Sequence, residues 1–240
     1  MKTKPRRSAS QLPFVLVNMA MTADDKIATT NRAISFFTSA RDHEHLLELR
    51  ATADAVMCGA RTADSAEINL GPGPARFRRR RLRRGLAEYN LRILVSGSGS
   101  INPDAEIFKH RFSPIIILTT KGAGQNRLRK LATVADEVVC FGERELNLRA
   151  ALRWLWSKKG VRRLVCEGGG ELNDAMFRAD LVDELHLTVS PKIFGGRNAP
   201  TISDGLGFPK LGAAREFRLQ SARRIGDEMF LTFIRGKTGR

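Results

Sequence analysis

Apolar residues fall along this chain in short β-branched runs, separated by stretches in which they return every three or four positions. Phe14–Val17, Ala55–Cys58, Ile93–Val95 and Ile115–Leu118 are continuous apolar runs, the pattern of strands covered on both faces. Ser39-x-x-Asp42 has the form of a capping box, with Leu46, Leu49 and Ala53 following at helical spacing. Leu148, Ala151, Leu152, Leu155 and Trp156 repeat at i, i+3, i+4, i+7 and i+8, which predicts an amphipathic helix. Trp154 and Trp156 read there as packing residues. Arg163–Cys166 is a further strand, Leu172, Ala175, Met176 and Ala179 mark another helix, and Leu185–Val189, Glu216–Arg224 and Met229–Ile234 are later strands. Strands alternating with helices, closed by a hairpin, predict a single α/β domain. Its central sheet is mostly parallel, with helices on both faces and a C-terminal antiparallel hairpin. No internal repeat or linker divides it.

Between the Arg163–Cys166 strand and the next helix stands Glu167-Gly168-Gly169-Gly170-Glu171-Leu172. Glycines at a strand–helix junction let main-chain N–H groups approach a phosphate, and the helix start adds partial positive charge. The unit therefore points to a phosphorylated ligand, most economically a nucleotide cofactor. A tight turn without a ligand is the alternative, since a glycine cluster alone is weakly specific.

Composition narrows the class. Forty-two per cent hydrophobic and 28% charged residues over 240 positions suit a globular protein. No apolar run is long enough for a membrane span, and the N-terminus lacks a signal peptide's apolar core. Three cysteines, Cys58, Cys140 and Cys166, are too few and too dispersed for a zinc cluster or disulfide framework. Cytoplasmic residence, with small buried thiols, is the expectation. The net charge is +16, and Arg76–Arg84 contributes seven arginines to it. Such a run is a solvated loop or helix, an attractor of polyanionic small molecules, or a nucleic-acid contact. Its single aromatic, Phe77, gives little support for base stacking, so nucleic acid is an unlikely partner. Residues 71–90 are read as an arginine-rich insertion in a domain spanning 13–235, with a basic tail at 1–12 and a short one at 236–240.

Several segments together resemble one family. Asn18-Met19-Ala20-Met21-Thr22-Ala23-Asp24-Asp25-Lys26-Ile27-Ala28, Leu49-Arg50-Ala51, Asp54–Thr62, Glu167–Gly170, Leu181-Val182-Asp183-Glu184 and Ser190-Pro191-Lys192 stand in the order found in riboflavin-pathway pyrimidine reductases. These share the dihydrofolate-reductase-like fold. The resemblance implies NADPH-dependent reduction of a phosphoribosylamino-pyrimidine to its ribitylamino form, with hydride passing from the nicotinamide C4 to C1′ of the ribose. It also implies a homodimer. By the same resemblance Gly168, Gly169, Gly170, Glu171, Leu172 and Asn173 wrap the cofactor diphosphate, and Thr62 and Ser96 contact the cofactor unless they are simple caps. Asn18, Ser35, Arg50 and Glu167 match substrate positions, Ser35 and Arg50 near the ribose phosphate. Glu167 capping the adjacent helix is the competing reading, as turn capping is for Asp24. No catalytic acid or metal ligand is named.

The chain departs from the family in places. Asp25 replaces a turn glycine, Ala66-Glu67-Ile68 replaces Asp-Asp-Pro, and Gly71-Pro72-Gly73-Pro74 with the arginine run replaces an arginine-bearing segment. Asp64 or Glu67 is the candidate replacement for the lost carboxylate. Asp180 stands where glycine commonly ends a helix. No His-x-Glu with a following Pro-Cys-x-x-Cys occurs, which excludes zinc-dependent deamination. The substrate is thus the uracil form made by a separate deaminase, or the diaminopyrimidinone before deamination. A same-fold reductase acting on a pterin or another metabolite remains a second reading, and nucleic-acid binding through the arginines a remote third.

Overall fold

The computed structural model describes residues 11–32, 37–65 and 68–236. Its nine strands are β1 (Phe14–Thr22), β2 (Ala55–Gly59), β3 (Leu91–Val95), β4 (Ile115–Thr119), β5 (Glu137–Cys140), β6 (Arg163–Cys166), β7 (Glu184–Ser190), β8 (Phe217–Ile225) and β9 (Glu228–Arg235). The helices are α1 (Ala40–Arg50), α2 (Ala60–Ala63), α3 (Ala75–Leu82), α4 (Gln125–Ala132), α5 (Leu148–Lys158) and α6 (Gly170–Arg178). One sheet holds all the strands in the order β5-β4-β3-β2-β6-β1-β7-β9-β8. The first seven in that order are parallel, and β9 is antiparallel to both β7 and β8. The mostly parallel sheet and terminal hairpin match the apolar pattern.

Alternate residues of each strand serve two cores. Val15, Val17, Met57, Leu164 and Cys166 face α5 and α6 through Leu152, Leu155 and Met176. Leu16, Val56, Cys58, Leu94 and Val165 face the other way, toward Leu49 of α1 and Leu131 of α4. A strand buried on both faces needs unbroken apolar sequence, which is why these runs were readable. Burial pushes the thiols of Cys58 and Cys166 up, the latter to about 12. Neither is a nucleophile.

Four elements differ from expectation. β1 runs to Thr22 rather than stopping at Val17, because β7 pairs with it from Leu16 through Thr22. The sheet edge β5 and helix α4 carry too few apolar residues to register as pattern; all four β5 positions are only half-buried. The arginine run folds as α3. Phe77 packs on Leu47 and Ala51 of α1, and Arg81, far from being solvated, is completely buried.

Arg81 donates from Nη1 to the carbonyls of Arg50 at 2.7 Å and Ala53 at 2.6 Å, and from Nε to that of Ala87 at 2.9 Å. The first two carbonyls lie where α1 ends, and the third follows α3. An Arg81→Met protein strips these donors from the buried Arg50 and Ala53 positions. It is expected to lose roughly 2–4 kcal/mol of unfolding free energy, measured by urea denaturation. An unchanged midpoint would show that water replaces the guanidinium.

The Ser39 cap forms as predicted, its hydroxyl accepting from the Asp42 N–H at 3.3 Å. The reciprocal half comes from another element. Glu228 of β9 accepts from the Ser39 N–H at 2.8 Å and from its hydroxyl at 2.6 Å. Asp25 and Asp180 adopt φ of +70° and +54°, a conformation aspartate tolerates better than most residues. Among the described residues no helix is long and apolar enough to cross a membrane.

Candidate active site

After β5 the chain returns to insert β6 between β2 and β1, then continues on the far side of β1 as β7. The carboxyl ends of β1, β2, β3 and β6 thereby surround a crevice at the point where the winding reverses, the usual place for a ligand in an open α/β sheet. A cleft of about 980 Å³ lies there. One wall is the start of α6 with the loop before α5. Another is the start of α1, and the segment from Pro200 to Leu206 forms a third.

The glycines build the first wall. The Gly168 carbonyl accepts from the Gly59 N–H at 2.7 Å, tying the end of β2 to the end of β6. Gly168 has φ +74°, and a Cβ there would meet the Met19 sulfur at 2.7 Å. A Cβ on Gly170 would fall 2.6 Å from the Thr201 carbonyl oxygen. The glycines thus let three main-chain segments converge on one helix start. No side chain caps α6, so its opening N–H groups are left to a ligand or solvent. Bare amides at the positive end of a helix, on the lip of a large cleft, fit a diphosphate.

Glu167, directly after β6, is held by Arg50 from the last turn of α1. Nε donates to Oε1 and Nη2 to Oε2, both at 2.6 Å, while Nη1 donates to the Gly71 carbonyl at 2.7 Å. Both side chains are more than nine-tenths buried. This fork fixes the carboxylate plane, yet each oxygen keeps a lone pair for a second donor. Glu167 lines the cleft and Arg50 stands behind it. The competing reading of Glu167 as a helix cap finds no support, since α6 has no side-chain cap. Asn18, in β1, also lines the cleft, and its Oδ1 is buried without a hydrogen-bond partner. An orphaned acceptor beside an oriented carboxylate suits a ligand rich in N–H donors.

The other expected residues divide. Thr62, Ser96, Gly169, Gly170, Glu171 and Leu172 all line the cleft. Thr62 belongs to the one-turn α2, close against Gly169. The Ser96 hydroxyl accepts from the Ser100 N–H at 3.0 Å and turns the loop after β3. Asn173 is fully buried and donates to the Ile202 carbonyl at 2.8 Å, so it anchors the third wall. Ser35 and Glu67 lie outside the described residues. Asp64 accepts from the Asn102 N–H at 2.9 Å and does not reach the cleft. Asp24 accepts from Thr22, Phe194 and Gly195, which hold its carboxyl below the ordinary range. Turn capping describes it fully.

Sequence reasoning passed over Arg61, Asp42 and the segment around Asp204. Arg61 pairs with Glu171 at 2.5 Å across the cleft rim. Asp204 binds the hydroxyl and N–H of Thr201 at 2.6 and 2.9 Å and gives its own N–H to the Gly170 carbonyl at 3.0 Å. Only the fold shows that this segment closes on α6.

Beneath the cleft, His45 of α1 meets His186 of β7, Nε2 to Nδ1 at 3.3 Å. His186 stands in register with Asn18. Burial first, then His186, hold His45 below the usual imidazole value, against Glu48 and Asp42 on its own helix. Glu184 faces His186 from the same strand, and the Phe230 ring of β9 covers His45. A depressed histidine is neutral in the folded state, so its contribution is present above about pH 6.5 and is lost as pH falls. The urea midpoint is therefore expected to drop from pH 7 to 5, with a shallower slope in His45→Gln. Equal slopes would refute this.

The family model described as the RibD C-terminal domain matches residues 13–231. The chain belongs to this family. Two relatives are the 2,5-diamino-6-ribosylamino-4(3H)-pyrimidinone 5′-phosphate reductases of Archaeoglobus fulgidus and Methanothermobacter thermautotrophicus. They are 32% identical over 220 residues and 31% over 223; each alignment covers 92% of this chain and 97% of the relative. Among solved structures, a pyrimidine reductase-like protein from Corynebacterium diphtheriae superposes with a TM-score of 0.75 at 21% identity, covering 94% of this chain and 92% of its own. That likeness supports the RibD C-terminal domain fold. With the family comes its class, an oxidoreductase of riboflavin biosynthesis that draws on a reduced nicotinamide cofactor.

Proposed function

We propose that this protein reduces a phosphoribosylamino-pyrimidine to its ribitylamino form with NADPH. The observation that carries the reading is one cleft with two differently built halves. The bare start of α6 offers amides to a diphosphate, and the Arg50-clamped Glu167 with the orphaned Asn18 Oδ1 offers acceptors to the amino and ring N–H groups of a pyrimidine. The nicotinamide supplies the hydride, and the chain supplies alignment and exclusion of water. The diaminopyrimidinone, before deamination, is favoured over the uracil form by the two archaeal relatives. NADPH is favoured over NADH because the loop after β3 turns Ser96, Ser98 and Ser100 toward one arm of the cleft in a strongly basic protein. Two copies are expected to associate, with Leu219 and Met229 exposed on the outer hairpin; sedimentation velocity tests this.

The decisive assay supplies purified protein with the diaminopyrimidinone ribosylamino phosphate and follows loss of NADPH absorbance. Turnover with NADPH exceeding that with NADH supports the reading. Bound NADPH without turnover of either pyrimidine form would favour a same-fold reductase of another metabolite.

A further inference from the structure

Four cationic side chains line the cleft among the described residues: Arg32, Arg61, Arg149 and Arg178. Three have protein partners. Arg61 pairs with Glu171 at 2.5 Å, Arg178 pairs with Asp174 at 2.8 Å, and Arg149 donates to the Ala179 carbonyl at 2.7 Å. Arg32 is exposed and has no side-chain partner among the described residues.

On the reductase reading, on which this inference rests, the substrate carries a ribose phosphate. Such a dianion calls for a guanidinium with free donors. Arg50 is buried and does not line the cleft, and three of its five N–H groups hold Glu167 and the Gly71 carbonyl. The arginines of α3 do not line the cleft. Arg76 and Arg78 pair with Glu44 and Glu88, and Arg81 is buried in carbonyls. The helix start at α6 already serves the cofactor's diphosphate.

Position agrees with charge. Arg32 lies on the connection from β1 to α1. Before it, Thr30 packs at Gly196. After it, Phe37 and Thr38 line the cleft beside Asp42. The connection therefore leads to the helix whose far end carries Arg50 and, through it, Glu167. Arg32 lines the same cleft as Asn18 and Glu167, with φ +58° and its N–H donating to the Thr29 carbonyl at 2.8 Å. We infer that Arg32 reads the phosphate of the substrate, filling the role left open by the missing arginine segment after β2.

The test compares Arg32→Ala and Arg32→Lys with the unaltered protein on the phosphorylated pyrimidine and on its dephosphorylated counterpart. Arg32→Ala is expected to raise KM for the phosphorylated form about 10- to 100-fold, with kcat within about threefold. Arg32→Lys should recover part of the loss. KM for the dephosphorylated form and for NADPH should not move. An equal loss on both pyrimidines overturns the assignment, and so does a rise in KM for NADPH, which would place Arg32 at the cofactor. If the unaltered protein turns over neither pyrimidine, the reductase reading itself fails, and that is seen before any variant is made.

Discussion

A Glu167→Gln protein is expected to lose about two to three orders of magnitude in kcat/KM for the pyrimidine, while its affinity for NADPH stays within about threefold. The carboxylate accepts both arms of the Arg50 fork at 2.6 Å and keeps one lone pair on each oxygen for the substrate. The amide can accept through one atom only and must turn an NH₂ toward either Arg50 or the substrate. Hydrogen bonds to a charged group contribute about 1.5–3 kcal/mol each, and about 1.4 kcal/mol is tenfold in rate. Losing one or two of them reaches the stated range. Stability falls as well, because a guanidinium this buried is left half-paired; removing one partner of such a pair costs roughly 3–5 kcal/mol, and the amide softens that figure. Steady-state kinetics with each reactant varied in turn, alongside urea denaturation, separate the two effects. Unchanged kcat/KM for the pyrimidine would remove Glu167 from the site.

Arg50 shows how far sequence carries such an argument. The resemblance singled out both Arg50 and Glu167 as substrate contacts and set the arginine near the ribose phosphate. Their separation of 117 positions hides the contact between them. Only the approach of the last turn of α1 to the end of β6 shows that one orients the other. The same limit applies to the third wall. Ser190-Pro191-Lys192 was visible as a family segment, yet the later stretch against the start of α6 depends on Asn173 and Asp204, each bonded across a long chain interval.

What was legible has a common cause. Strands buried on both faces and helices with one apolar stripe leave patterns that a single sequence displays, whereas the insertion of β6 between β2 and β1 leaves none. β5 and α4 escaped because an edge element buries little, and α3 because its contribution is made by Phe77 and one arginine. Arg81 is indistinguishable from its neighbours by composition. What separates it is a set of three carbonyls, two where α1 ends and one after α3, that only the fold brings together. The arginine run thus contains a structural anchor and a solvated face in one stretch, and neither supplies a cation to the cleft.

Placing a side chain at Gly170 tests the cofactor half in the same way. In a Gly170→Val protein the Cβ would lie 2.6 Å from the Thr201 carbonyl oxygen and 3.0 Å from both N and Cβ of Asp204. These neighbours are mainly backbone, and they cannot retreat without breaking the 3.0 Å bond from the Asp204 N–H to the Gly170 carbonyl. Asp204 in turn holds Thr201, so the wall from 200 to 206 must move as a unit away from α6. Overpacking of this kind costs typically 1–3 kcal/mol, and here it falls on the surface that meets the cofactor. Kd for NADPH, measured by calorimetry, is expected to rise at least about thirtyfold, roughly 2 kcal/mol. The core residues beneath, such as Met176 and Leu155, are untouched, so a cooperative thermal transition should persist. Arg32→Ala should leave NADPH affinity unchanged, which separates the two halves of the cleft experimentally. Native NADPH affinity in Gly170→Val would mean that the start of α6 does not carry the diphosphate.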